Sequence, residues 1–270
     1  MGGDVLTIAA RISGPEDLWG ACRSGEWAGP TPGVCGAFVQ TNLVVLPHAD
    51  AFDFLRFCGR NPKPCPLIEA TDPGDPEPKL TAPGADLRTD LPRYRVYRRG
   101  ELVDEPTDVR DLWRDDFVGF LIGCSFSFEE ALLSAGVPVR HVETGKNVPM
   151  YRTDVPCTPA GEFSGPLVVS MRPIPAGLVP LAVTTTARVP QVHGVPVHVG
   201  DPGAIGIADL DRPDYGEPVE IRPGELPVFW ACGVTPQAVA LEAAPEIMIT
   251  HSPGHMFVTR MTNAELLAAG

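Results

Sequence analysis

Residues 117–133 read FVGFLIGCSFSFEEALL, and residues 228–241 read VFWACGVTPQAVAL. Each is an apolar run of strand length that passes through a cysteine and a hydroxyl residue into a stretch with helical apolar spacing. Cys124 matches Cys232, and Ser127 matches Thr235 as the residue placed to cap the helix. Working outward, Leu43-Val44-Val45 recurs as Leu167-Val168-Val169, and the turn Asp72-Pro73-Gly74 recurs as Asp201-Pro202-Gly203. Met150, Tyr151 and Thr153 near the end of the first series align with Met256, Phe257 and Thr259. The order predicts an internally duplicated α/β fold, two similar halves each with a mixed β-sheet and flanking helices. Its expected divisions are an N-terminal helical segment over 1–29, a first repeat over 30–160 and a second over 161–270 with a C-terminal helix. The plainer alternative is that every α/β chain alternates strand and helix.

Other elements follow from local signals. A helix is expected from Pro15 to Arg23, capped by Ser13, and a second to Arg60, where Ala51, Phe54, Leu55 and Cys58 form one apolar stripe. Tyr94 to Val103 reads as a hairpin turning at Arg99-Gly100, and Val139 to Val142 and Ile247 to Ile249 read as β-like.

The chain of 270 residues carries a formal charge of −13, from 34 acidic and 21 basic residues, which disfavours nucleic acid and anionic membrane as partners. No apolar run approaches a membrane span, and the first residues lack the pattern of a signal peptide. Seven cysteines without paired metal-ligand spacing fit reduced thiols, so a cytoplasmic location is expected. Homo-oligomerisation is compatible with the sequence but not specified by it.

There is no Walker loop, no GxGxxG after a strand, no GxSxG elbow and no HExxH helix, so neither cofactor nor metal is expected. A helix start after a strand presents free backbone N–H groups, and Ser125 and Ser127 are therefore candidates to hold a substrate carboxylate or oxyanion. Ser127 forming a capping box with Glu130 is the plain alternative. Cys124, just before the helix, is a candidate nucleophile or proton carrier, against the commoner inert buried thiol. His255 and His251 flank a Pro-Gly turn and suit acid/base work better than a metal pair. Asp72 is either a turn residue or an orienting carboxylate at a strand end. Asn147 and Arg152, near Lys146 in GKNVPMYRTD, offer donors to a small anionic carboxylate, as polar loops often do.

Longer strings are more specific. FDFLRFCGRNPKPCPLIEATDPGDPEP (52–78), the run GADLRTDLPRYRVYRRGELVDEPTDVRDLWRDDFVGFLIGCSFSFEEALL (84–133), NVPMYRTDVPC (147–157), GPLVVSMRPIP (165–175), VFWACGVTPQ (228–237) and HSPGHMFVT (251–259) resemble the D-glutamate cyclase family. Its bacterial members are also described as UPF0317 proteins, or hydro-lyases. The resemblance runs from about Ser24 to Thr259 and implies a lyase that eliminates water, the member reaction being cyclisation of D-glutamate to 5-oxo-D-proline. It assigns no role to any single residue. A hydro-lyase on another small hydroxy acid and a non-catalytic carboxylate binder remain open alternatives.

Overall fold

The computed structural model describes residues 11–269. In chain order the elements are α1 (Pro15–Arg23), β1 (Phe38–Pro47), α2 (His48–Arg60), β2 (Leu67–Ala70), β3 (Tyr94–Arg98), β4 (Glu101–Asp104), β5 (Phe117–Gly123), α3 (Phe126–Ser134), α4 (Arg140–Glu143) and β6 (Met150–Pro156). There follow β7 (Pro166–Pro175), α5 (Val179–Thr186), β8 (His198–Val199), β9 (Glu225–Ala231), α6 (Thr235–Ala243), β10 (Met248–His251), β11 (Phe257–Thr262) and α7 (Asn263–Ala269). Among these, no helix is long and apolar enough to cross a membrane.

The strands form two sheets. A seven-stranded sheet runs β2-β5-β1-β10-β3-β4 with β11 also on β1, and a four-stranded sheet runs β6-β7-β9-β8. Every pairing between these strands is antiparallel, which corrects the expected mixed sheets. The boundary expected near residue 160 is not where the sheets divide, because β6 joins the second sheet while β10 and β11 return to the first.

β1 is the organising strand, buried from Val39 to Pro47. Its alternate residues serve different packing layers, as the two-residue period of a strand dictates. Val44 and Leu46 join Phe120 and Ile122 of β5, Phe54 and Phe57 of α2, and Val169, Met171 and Phe229 of the second sheet in one apolar cluster. Leu43 and Val45 face the opposite way, against Leu87, Leu91 and Tyr94. The second sheet turns Ile174, Val228 and Trp230 toward Phe128 and Leu132 of α3.

Local hydrogen bonding repeats between the sheets. Thr41 lies opposite Gly123 and Phe257, and Val169 lies opposite Ala231 and Tyr151. Ser127 Oγ accepts the Gln40 N–H at 3.1 Å, and Thr235 Oγ1 accepts the Val168 N–H at 3.2 Å. Thr153 Oγ1 donates to Leu167 O at 2.8 Å, and Thr259 Oγ1 donates to Val39 O at 3.0 Å. These correspondences set Thr41 against Val169, so the Leu43-Val44-Val45 match to Leu167-Val168-Val169 is not the register the sheets use.

Several expectations are corrected in detail. Gly14, not Ser13, is the N-cap of α1, and Ser13 instead bonds the Asp17 carboxylate through its N–H and hydroxyl. The segment at 140–143 is a short helix, not a strand. The two Asp-Pro-Gly turns differ, since Gly74 has φ +80° whereas Gly203 sits in a 3-10 turn whose N–H is accepted by Asp201. The hairpin turns at Arg99 and Gly100, both with positive φ, the geometry that matches strand twist.

At the end of β5, a side chain on Gly123 would collide with the backbone carbonyl of Gln191. Gly123→Ala is therefore expected to lower stability by roughly 1–3 kcal/mol through overpacking. Gly20→Ala, on the exposed face of α1 with open space around it, is expected to raise stability by about 0.5–1 kcal/mol. Denaturant melts of the two variants check both signs.

Candidate active site

The edge of β1 facing β10 and β11 is interrupted. Val44 is opposite Thr250 and Thr41 is opposite Phe257, so the partner spends more residues than β1 over the same length. The surplus is extruded as the 252–256 loop. Thr31 and Gln40 hold that loop from below. The Thr31 N–H donates to Gly254 O at 2.8 Å, Met256 N–H donates to Thr31 Oγ1 at 3.0 Å, and the Gln40 amide donates to Thr31 O and Val34 O.

Beside the extruded loop is a cavity of about 580 Å³. One wall is the α3 face made by Phe126, Glu129, Glu130 and Leu133, at helical spacing. His141 of α4, Lys146 and Asn147 from the loop before β6, and His255 from the loop before β11 complete the lining. Gly254 packs close to Asn147, because a Cβ there would stand 3.6 Å from the Asn147 amide nitrogen.

The floor of this wall is ionic. Arg172 of β7 is fully buried and donates to Glu129 Oε1 through Nε at 3.1 Å and through a second guanidinium nitrogen. Its remaining donors reach Ser170 Oγ at 3.0 Å and Ser125 Oγ at 3.1 Å, and its plane lies over the rings of Phe128 and Trp230. His141 Nε2 stands 3.1 Å from the same Glu129 oxygen, close enough for an ion pair but out of line for a hydrogen bond. Burial alone would raise the Glu129 carboxyl, but the Arg172 guanidinium and His141 overcome that and hold it at about 2. Asn147 Oδ1, buried at the cavity, has no hydrogen-bond partner among the described residues.

The sequence-derived candidates separate accordingly. His255 and Asn147 are brought together at the cavity. Burial lowers the His255 pKa, and the nearby Arg93 cation adds to this. Its Nδ1 is 2.9 Å from Pro253 O, and the backbone contacts of the ring with Pro253 and Ala28 work against that lowering.

The other candidates lie elsewhere. His251 is buried in β10, its Nδ1 3.2 Å from the Leu43 N–H, with its pKa lowered to about 4 by burial; it fastens β10 to β1 instead of facing the cavity. Ser127 is inside α3 and turned onto β1, so neither the capping box nor an oxyanion site at this helix start is formed by its side chain. Ser125 is occupied by Arg172. Burial pushes the Cys124 thiol far up, which removes the thiolate a nucleophile needs, and lifts Cys232 to about 11. Asp72 is an exposed turn residue paired with Lys79 at 3.2 Å, and Arg152 pairs with Glu242 at 3.0 Å; neither lines the cavity.

Glu129, His141 and Arg172 were the residues that sequence reasoning missed or passed over. The signal was present in LVVSMRPIP, where one arginine interrupts an otherwise apolar strand and therefore demands a buried partner.

The depressed carboxyl makes a pH prediction. Glu129 contributes stability that is fully present above its unfolded value of 4.5 and is lost as pH falls toward about 2. Arg172→Met is expected to cost about 3–5 kcal/mol by stranding a buried carboxylate, whereas Arg172→Met with Glu129→Gln should recover most of that loss. Melting temperature from pH 7 down to pH 3 should fall more steeply in the wild type than in the double variant.

The comparisons with known proteins fit this picture. A family model described as D-glutamate cyclase matches residues 118–260. A protein of Bordetella pertussis named "Putative hydro-lyase" is 63% identical over 264 residues, covering 98% of this chain and 95% of its own length. Proteins given the same description in Bacillus licheniformis and Stutzerimonas stutzeri are 62% and 61% identical, covering 91% and 96% of this chain and 94% and 97% of their own lengths. The relatives' names support a hydro-lyase at the level of the family. Identity of this order along nearly the whole of both chains, joined to the family match over residues 118–260, shows that the chain belongs to the D-glutamate cyclase family.

Proposed function

We propose that the cavity is the active site of a hydro-lyase that closes a glutamate-type substrate on itself, joining the amine to the side-chain carboxyl with loss of water. D-glutamate giving 5-oxo-D-proline is the reaction that this reading takes from the family description. The observation that carries it is a cavity that brings an unsatisfied buried acceptor, Asn147 Oδ1, together with two imidazoles, three carboxylates and a lysine. A buried acceptor of this kind is costly unless a ligand satisfies it. A nascent lactam offers an N–H to the asparagine oxygen and a carbonyl oxygen to the imidazole. The carboxylates favour an amino acid over a plain hydroxy acid, because only the former brings an ammonium to them.

In this mechanism His255, kept neutral by burial, takes a proton from the amine. His141 passes a proton to the departing oxygen while Glu129, anchored by Arg172, fixes its ring. No nucleotide is needed, since attack within one molecule to form a five-membered ring carries a large effective concentration. The paired hydrogen bonds at Ser127 and Thr235, and at Thr153 and Thr259, further support reading the chain as two copies of one plan that exchange their closing strands.

Incubation with D-glutamate, L-glutamate and both 5-oxoprolines, followed by chiral chromatography, is expected to show interconversion of the D pair; none in any pair would overturn the reaction. His255→Asn should keep a near-native melting temperature and lose at least ~100-fold in turnover. Because the His255 pKa is lowered from 6.5, wild-type turnover should rise with pH through a value below 6.5, and that acid limb should vanish in the variant.

A further inference from the structure

We propose that the preferred substrate of this site carries an apolar group on its α-carboxyl as an α-amide, so that it resembles an N-terminal glutamyl unit and not free glutamate. This rests on the glutamate-closing reading above. Two independent observations lead to it, one of size and one of charge.

The cavity of about 580 Å³ falls in the range of sites that enclose ligands larger than a single amino acid. Its lining is not all polar. Phe38, Phe126, Leu133 and Val142 line it, and Leu133 and Val142 are 45% and 47% exposed although apolar. Exposed aliphatic side chains at the rim of a ligand cavity are suited to cover an apolar substituent.

The charges point the same way. With Glu129 neutralised by Arg172, Glu130 and Glu217 line the cavity against Lys146, whose ammonium already donates to Pro218 O at 2.8 Å. Arg172 is committed to Glu129, and Arg152 lies outside the cavity with Glu242. Ring closure consumes the amine and the side-chain carboxyl, leaving the α-carboxyl as the one group free to bear a substituent. Free glutamate brings a net negative charge into a negative cavity, whereas its α-amide is neutral overall. The chemistry is unchanged by the amide. The amine nitrogen forms a bond to the side-chain carboxyl carbon, the carbon–oxygen bond breaks, and two protons from the ammonium leave with that oxygen as water.

The test compares kcat/KM of the intact protein on D-glutamate, D-glutamic acid α-amide and D-glutamic acid α-benzylamide, following loss of one water by mass. The value is expected to rise roughly tenfold from the free acid to the α-amide and again to the α-benzylamide. Leu133→Asp and Val142→Asp, both at solvent-reaching positions, should each reduce the ratio of benzylamide to amide turnover about tenfold or more. Free D-glutamate used better than both amides would overturn this inference and leave the cyclisation standing. Turnover of none of the three by folded protein would overturn the cyclisation itself, and this inference with it.

Discussion

The guanidinium of Arg172 is held out of water entirely, and much of the molecule is arranged to make that tolerable. Its only charged partner among the described residues is Glu129, with two serine hydroxyls and two aromatic faces completing the shell. A lone buried cation would be prohibitive, and a buried pair is stable only with good geometry and no idle donors. Meeting that condition fixes the rotation of α3 on the second sheet. Once Glu129 is turned toward Arg172, Phe126, Glu130 and Leu133 are carried to the cavity wall by the helical repeat. The same pair therefore serves the core and sets the electrostatics of the candidate site.

What could be read from the sequence was what local chemistry dictates. The helix carrying the Ala51, Phe54, Leu55 and Cys58 stripe, the hairpin at Arg99-Gly100 and the strand-to-helix passages at Cys124 and Cys232 are recovered in place, although Leu55 is exposed and Phe57 is buried instead. These depend on periodicity and turn geometry, which neighbouring residues carry. The pairing partners depend on residues far away. Nothing near Met150 says that β6 will lie on β7, or that β11 will return to β1. The false register between Leu43-Val44-Val45 and Leu167-Val168-Val169 shows the difficulty: buried strands draw on the same few side chains, so short words recur without marking equivalent positions.

The site was half legible for the same reason. His255 and Asn147 stand in loops whose composition signals chemistry, and both reach the cavity. Asp72 and Arg152 looked equally suitable, but each finds an ion-pair partner outside it, Lys79 and Glu242. Ser127 was selected for its place before an apolar helix, yet its hydroxyl is taken by the Gln40 N–H, a contact across 87 positions of chain. Glu129 was overlooked because an acidic residue early in a helix ordinarily marks a favourable dipole interaction and nothing more.

β1 leaves a consequence for synthesis of the chain. It is among the first strands to be made, while two of its neighbours, β10 and β11, lie at 248–262. During translation β1 gains β5 first, but its other edge stays bare until residues 248–262 have been made. An unpaired, apolar strand edge is a template for wrong partners. The loop bearing His255 arrives together with that late closure, so the cavity of the candidate site is complete only when these two strands are in place. Until then the apolar edge of β1 needs shielding from other chains.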